Sequence, residues 1–129
     1  MAQSSTRREN RTARRTLRAE LRRRAAGTRL AASCRRRPRS LATHLIASGV
    51  DRETATGCAN GLRTVAKRVG VEPAATARTR RTVHGGRAHQ TRTVYRYTRA
   101  QVARLVAAYK PRKAEYKAAV VCLARVVAA

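Results

Sequence analysis

The clearest pattern in the chain is a helical repeat of apolar residues between residues 52 and 69. Side chains at spacings of three and four form one apolar face: Ala55, Cys58, Ala59, Leu62, Val65, Ala66 and Val69. This spacing predicts an amphipathic helix from about Arg52 to Val69. Asp51 stands where a side-chain oxygen would cap that helix, and Glu53 lies in its first turn, where the helix dipole favours a carboxylate.

Three further amphipathic segments flank this helix. Leu41, Leu45 and Ile46 share a face of a short helix that Gly49 closes. Thr98 is placed to cap a helix that ends before Pro111, and a last helix is expected at 112–127. The apolar stripes of these two helices are Val102, Leu105, Val106 and Tyr109, then Tyr116, Val120, Leu123, Ala124 and Val127.

Residues 70–97 contain turn residues, a segment with a poor apolar face that predicts a short helix, and a segment of β-forming residues. Gly70-Val71 ends the long helix, and Pro73 is acceptable in the first turn of a short helix predicted for about residues 73–82. That helix would bury only alanines. The turn residues of 84–87, followed by β-forming residues at 90–97, predict a small hairpin.

Residues 4–40 are dominated by arginine, with Glu9 and Glu20 as their only acids. Repulsion between like charges predicts that this arm is disordered in isolation, while neutralisation by phosphates would allow a helix over residues 12–26; Pro38 ends whatever forms. We therefore expect a basic disordered arm at 1–40 and a mainly α domain at 41–129, a small helical domain with a winged helix-turn-helix and a short β-hairpin.

The charge of the chain indicates a polyanionic partner. Its 129 residues carry a formal net charge of +25, without Trp or Phe. A GC-rich genome would favour Arg over Lys, but it would supply Asp and Glu codons as readily, so codon bias does not explain six acids in total. Such a basic excess is the footprint of a nucleic-acid surface. Alternatively, translation starts later than Met1, and part of the arginine-rich arm does not belong to the protein.

Catalytic and metal-binding patterns do not stand out in the sequence. Cys34, Cys58 and Cys122 are widely spaced, without a CxxC pair, so neither a disulfide framework nor a zinc site is predicted. The scattered acids form no cluster for metal-assisted hydrolysis. We expect a protein that is not an enzyme and has no cofactor. Its most apolar stretch is too short to span a bilayer, so we expect no membrane partner and a cytoplasmic protein, nucleoid-associated if bacterial.

Two segments resemble the DNA-binding domains of MerR-type regulators and phage excisionases. The run Val65-Ala66-Lys67-Arg68-Val69-Gly70-Val71-Glu72-Pro73 is similar to their turn, and the run from Arg96 to Leu105 is similar to the exit from their wing. The resemblance covers about residues 63–109. It implies a winged helix-turn-helix whose recognition helix starts near Pro73. The wing differs in that Arg96 immediately precedes Tyr97, whereas the family's arginine usually stands two residues before the aromatic residue.

The resemblance implies roles for particular residues. The recognition helix would offer base contacts in the major groove, and the hairpin would lie over an adjacent backbone or minor groove. Other cations, and the arm, would contact phosphates without reading sequence. The base contacts would be Thr76, Arg78, Thr79 and Arg80; the wing Arg87, His89, Gln90 and Arg92; the phosphate contacts Lys67, Arg68, Arg81, Arg96 and Arg99; and the arm Arg22, Arg23, Arg24, Arg35, Arg36 and Arg37.

Two other partners fit the same composition. RNA-associated proteins are also small and basic, although the aromatic residues that stack on single-stranded bases are few here. An acidic protein partner is allowed by the charge alone. We expect a small regulator, or an excisionase-like or architectural protein, whose favoured partner is duplex DNA. The helix at 112–127 is a candidate for homodimer formation.

The charge predicts a strong dependence of binding on salt. With about eight phosphates neutralised, the slope of log affinity against log salt concentration would be near −7. We expect tight binding to duplex DNA at low salt that collapses by several hundred millimolar, measured by fluorescence anisotropy in a salt titration. An affinity that is nearly independent of salt would contradict this expectation.

Overall fold

The structure, a computed structural model, describes residues 2–83, 86 and 88–128 of the chain. Five helices and one antiparallel hairpin form the described part. Their bounds are α1 Ala2–Arg36, α2 Leu41–Ala47, α3 Arg52–Val69, β1 Ala75–Val83, β2 Ala88–Arg96, α4 Arg99–Ala108 and α5 Ala114–Ala128.

Helix α3 is the centre of the core, and its predicted bounds are confirmed. Asp51 caps its start, since the carboxylate accepts a hydrogen bond from the backbone N–H of Thr54 at 3.1 Å. Gly70 ends the helix with φ of 81°, a left-handed conformation that glycine adopts without strain. Helices α2, α4 and α5 all pack on α3. Six of its side chains are buried: Ala55, Cys58, Ala59, Leu62, Val65 and Ala66.

Two glycines of α3 let tyrosines of neighbouring segments approach its backbone. A Cβ atom at Gly57 would lie 2.9 Å from Cζ of Tyr116 in α5. A Cβ atom at Gly61 would lie 2.7 Å from Cζ of Tyr109, which follows α4. Both distances are shorter than van der Waals contact. The helix therefore carries glycine at these two positions because the phenol rings occupy the space of a side chain.

The prediction of a disordered arm does not describe this structure, because residues 2–36 form helix α1. Its C-terminal end is anchored on the domain: Cys34 is 7% exposed, and Ala31, Cys34 and Arg35 lie beside Leu123 of α5. Anchoring supplies the nucleus that an isolated helix must form at a cost. Alanine, leucine and arginine, which are good helix formers, then extend the helix outwards.

The prediction of a short helix at residues 73–82 is also wrong. Residues 75–83 form strand β1, which pairs with β2 in a continuous antiparallel register from Ala75 opposite Arg96 to Val83 opposite Ala88. As a helix this segment would bury only three alanines, whereas as a strand it pairs with β2 along its length through the hydrogen bonds of an antiparallel ladder. The predicted hairpin is confirmed, but its first strand is the segment interpreted as the recognition helix.

A small polar junction ties α1 and α2 to the end of the hairpin. Arg39 and Tyr97 form an isolated antiparallel bridge, in which Arg39 N–H donates to Tyr97 O at 3.0 Å and Tyr97 N–H donates to Arg39 O at 2.8 Å. The buried side chain of His44 reaches the same Tyr97 carbonyl through Nε2 at 2.9 Å. Because a carbonyl only accepts, Nε2 carries the proton of a neutral imidazole.

The glycine contacts predict opposite effects of the same substitution in two helices. Gly61→Ala should lower the free energy of unfolding by about 1–3 kcal/mol, because the added methyl meets the Tyr109 ring. Gly27→Ala in α1, where nothing lies within 4 Å, should instead stabilise its helix by roughly 1 kcal/mol. Urea unfolding and far-UV circular dichroism measure both effects. Equal stabilisation by the two substitutions would contradict this packing.

Burial of His44 predicts a loss of stability in acid. Desolvation by burial holds the pKa of His44 below its ordinary 6.5. The charge of the nearby Arg39 lowers this pKa further, whereas the hydrogen bond to Tyr97 raises it. The unfolded chain therefore binds the proton first, and stability falls as the pH drops below about 6.5, by at most about 1.4 kcal/mol per pH unit. The melting temperature should be lower at about pH 5 than at about pH 7.5.

The variant His44→Gln, whose amide can still donate to Tyr97 O, should shrink the difference in melting temperature between the two pH values. The matched control replaces the other two histidines, His84→Gln with His89→Gln, and should keep the difference. A pH dependence that survives in His44→Gln and disappears in the control would contradict the assignment.

Candidate nucleic-acid interface

One face of the hairpin is polar and exposed along its length. Residues that stand opposite each other in an antiparallel pair share a face. Three such pairs, all of exposed residues, form this hairpin face: Thr76 with Tyr95, Arg78 with Thr93, and Arg80 with Thr91. Tyr95 is 47% exposed, whereas Tyr97, beyond the end of β2, is 4% exposed and belongs to the core.

The side of α3 that faces away from the core is a second polar surface. It is the complement of the apolar repeat, with positions spaced by three and four residues. We call it the α3 polar face: Arg52, Thr56, Asn60, Arg63 and Lys67. All five side chains are exposed or half-buried, and at Arg63 the guanidinium Nη1 donates to Asn60 Oδ1 at 2.7 Å.

The two polar surfaces meet at Arg63. Arg63 and Lys67 line a cavity of about 450 Å³ together with Tyr95 of the hairpin face. Arg63 also borders a second cavity that is lined by Arg92 and Thr93 of β2. The C-terminal half of α3 and the base of the hairpin therefore form one continuous surface that carries arginine, lysine and an exposed aromatic ring.

The electrostatics at Arg63 favour an anion. Desolvation by burial, together with the charge of nearby Arg92, lowers the pKa of Arg63 from its ordinary value. Two guanidinium groups held near each other repel, and a phosphate between them would remove that repulsion. The arrangement suits binding of an anion with a planar arginine at its centre.

The predicted base contacts do not lie on a helix. Thr76, Arg78, Thr79 and Arg80 are all on β1, where alternate side chains point to opposite faces. Thr76, Arg78 and Arg80 belong to the hairpin face, and Thr79 lies on the other side, where its hydroxyl donates to Arg92 O at 3.4 Å. The interpretation of these residues as one face of a recognition helix is therefore wrong.

The predicted wing residues lie on or next to β2. Gln90 and Arg92 are exposed on that strand, and His89 stands opposite Thr82 in the register. Arg87 lies outside the described residues.

The predicted phosphate contacts lie on α3, β1, β2 and α4, and two of them bond to backbone carbonyls of the fold. Lys67 is exposed on α3, Arg81 lies on β1, and Arg96 stands opposite Ala75 in the hairpin. Arg68 Nη2 donates instead to Ala108 O at 3.2 Å, at the end of α4. Arg99 Nη2 donates to Val126 O at 3.1 Å, near the end of α5. Arginines there satisfy terminal carbonyls and complement the helix dipole.

The arm arginines are arranged on or just after α1. Arg22, Arg23 and Arg24 are exposed in the middle of that helix, and Arg22 Nε donates to Arg18 O at 3.3 Å. Arg35 and Arg36 are exposed in its last turn, and Arg37 directly follows.

Within the described residues, no group of three or more His, Cys, Asp or Glu side chains is arranged to hold a metal ion. In the same part of the chain, no helix combines the length and apolar character needed to cross a bilayer.

Sequence reasoning missed most of the α3 polar face, including Thr56, Asn60 and Arg63. The signal was present in the pattern that predicted α3, because polar residues at one spacing occupy the side opposite the apolar repeat. Only the fold shows that this side adjoins the hairpin.

No family model, no curated protein and no solved structure matches this chain.

Proposed function

We propose that this protein binds duplex DNA through the α3 polar face and the hairpin face, and that it acts as a small DNA-binding protein rather than as an enzyme. The observation that carries the proposal is the continuous surface centred on Arg63, where two elements bring polar and cationic side chains together. The compartment that follows from this function is the cytoplasm, or the nucleoid in a bacterium.

The order α2, turn, α3 and hairpin suits a winged helix-turn-helix in which α3, not residues 73–82, enters the major groove. A major groove accepts one helix, and its base edges fit the side chains of the α3 polar face. Asn60 is suited to adenine and Arg63 to guanine, since each can bond two atoms of a base edge. Lys67 lies next along the helix, within reach of the backbone.

The hairpin face would act as the wing. Arg78 and Arg80 lie on its exposed side, spaced by two residues, so they point in the same direction. Phosphate contacts from a wing fix the position of a recognition helix without reading bases. Gln90 and Arg92 are exposed on β2 opposite Arg81 and Thr79, so they belong to the other side of the hairpin and not to this face.

Duplex DNA is favoured over RNA because a helix fits the major groove of B-form DNA, whereas the corresponding groove of A-form RNA is deep and narrow. Tyr95 is the exposed aromatic ring at the surface centred on Arg63. Stacking of an unpaired RNA base on that ring is the alternative, and the experiment below separates it from duplex binding.

The test is a selection from random DNA duplexes with the full chain, followed by affinity measurements on the enriched sequence. Arg63→Gln should weaken binding to that sequence by about 5-fold to 150-fold, since a bidentate contact discriminates by about 1–3 kcal/mol. Lys67→Gln should weaken binding to all sequences alike and reduce the salt slope by about 1.

Arg125→Gln is the matched control, because it removes the same charge from an exposed position of α5, away from the interface. The Arg125→Gln variant should still bind the enriched sequence more tightly than other duplexes. Tighter binding to single-stranded RNA than to any duplex, abolished by Tyr95→Ala, would overturn the proposal in favour of RNA. An equal effect of Arg63→Gln and Arg125→Gln would show that only net charge matters.

A further inference from the structure

Between residues 7 and 22, the arginines of α1 are concentrated on one side of the helix. Side chains three, four and seven positions apart lie on the same side of an α-helix. Six arginines follow that spacing, and we call them the arginine face: Arg7, Arg11, Arg14, Arg15, Arg18 and Arg22. Five of them line a single surface groove together with Asn10.

The two acids of α1 lie on the opposite side. Glu9 stands two positions before Arg11, and Glu20 two positions after Arg18. Two positions correspond to a rotation of about 200° around the helix axis. Between Arg7 and Arg22 the helix is therefore polarised, with a cationic side that a polyanion would attract and an opposite side that carries both acids; Arg23 and Arg24 follow on that opposite side.

The arginine face is fully accessible. Every residue from 6 to 29 is exposed, and burial against the domain begins only at Leu30. These residues extend about 36 Å beyond the anchored end. The hydroxyls of Thr12 and Thr28 donate to carbonyls of the same helix, at 3.0 Å each.

We propose that α1 binds as a rigid helix in the major groove of duplex DNA, with the arginine face towards the phosphates and the acidic side towards solvent. This inference rests on the proposed function and adds a second DNA-contacting helix to it. The occupant follows from charge complementarity, since six aligned guanidinium groups match the regular phosphates of a duplex.

The shape of the arginine face fits this groove. Arg11 and Arg18, seven positions apart, mark its centre, while Arg14 and Arg15 lie on its two flanks. In a groove about 12 Å wide, side chains on the flanks reach the two backbones while those at the centre face the bases. The stretch from Arg7 to Arg22 spans about 22 Å, or about six to seven base pairs.

A rigid helix and a flexible basic tail differ in one measurable respect. A flexible tail contributes through its number of charges, wherever they stand in the sequence. A rigid face contributes only through charges on the side that meets the DNA. Moving arginines around the helix at constant composition therefore distinguishes the two modes of binding.

The test is a rotated variant of the full chain that carries Ala13→Arg with Arg14→Ala and Thr16→Arg with Arg18→Thr. It keeps the composition and net charge and moves two arginines to the acidic side, four positions from Glu9 and Glu20, where ion pairs support the helix. Far-UV circular dichroism should show unchanged helicity. We expect at least tenfold weaker binding to a 20-base-pair DNA duplex and a salt slope smaller in magnitude by about 1.8.

Guanine N7 methylation gives an independent readout of the major groove. The original chain should protect a stretch that the rotated variant leaves unprotected, while the site read by α3 stays protected in both. Unchanged affinity and slope in the rotated variant would overturn the inference and leave α1 a flexible tail. Equal losses on duplex DNA and on double-stranded RNA would overturn its placement in the major groove.

These outcomes are separable from failure of the proposed function. If Arg63→Gln has no effect beyond that of Arg125→Gln, the proposed reading by α3 fails, whatever the rotated variant does. If Arg63→Gln abolishes the preference for the enriched DNA sequence, and the rotated variant binds as the original chain does, only the inference about α1 fails.

Discussion

The structure depends on a short backbone pairing between Arg39 and Tyr97. It joins the link after α1 to the residue that ends the hairpin and precedes α4, so the two most cationic elements meet at one point. The buried imidazole of His44 adds a third hydrogen bond to this junction, the second at the Tyr97 carbonyl. Without this pairing, strongly charged segments would have few contacts that hold them near the core, because their own surfaces are almost entirely exposed.

The core itself is built to be small and closely packed. It contains leucine, valine, alanine and cysteine around α3, with Tyr97 as its buried aromatic residue among those described. Glycine at two positions of α3 brings Tyr109 and Tyr116 against the helix backbone, which supplies contact area that Phe and Trp would otherwise provide. A net charge of +25 then rests on segments that lie outside this core, where water screens their repulsion.

The sequence predicted those elements whose signals are local. The apolar repeat of α3, its cap at Asp51 and its end at Gly70 lie within one segment, and the bounds agree with the structure. Strand β1 escaped prediction because Ala75 and Ala77 are compatible with a helix, and only pairing with β2 makes the strand favourable. Helix α1 escaped for a similar reason, since its anchoring at Cys34 depends on residues of α2 and α5.

The candidate site shows the same division between local and distant signals. Arg78 and Arg80 were predicted as base contacts of a recognition helix that the resemblance implies, and they are exposed, but on a strand instead of a helix. Arg63 becomes central only when the fold brings Arg92 and Tyr95 beside it. A charge that is merely exposed is screened by water, whereas one that is half-buried near a like charge gains more from a bound phosphate. Under the proposed function, Arg63 would therefore gain more from contact with DNA than each arginine of α1, whose regular spacing matches the regular spacing of any duplex backbone.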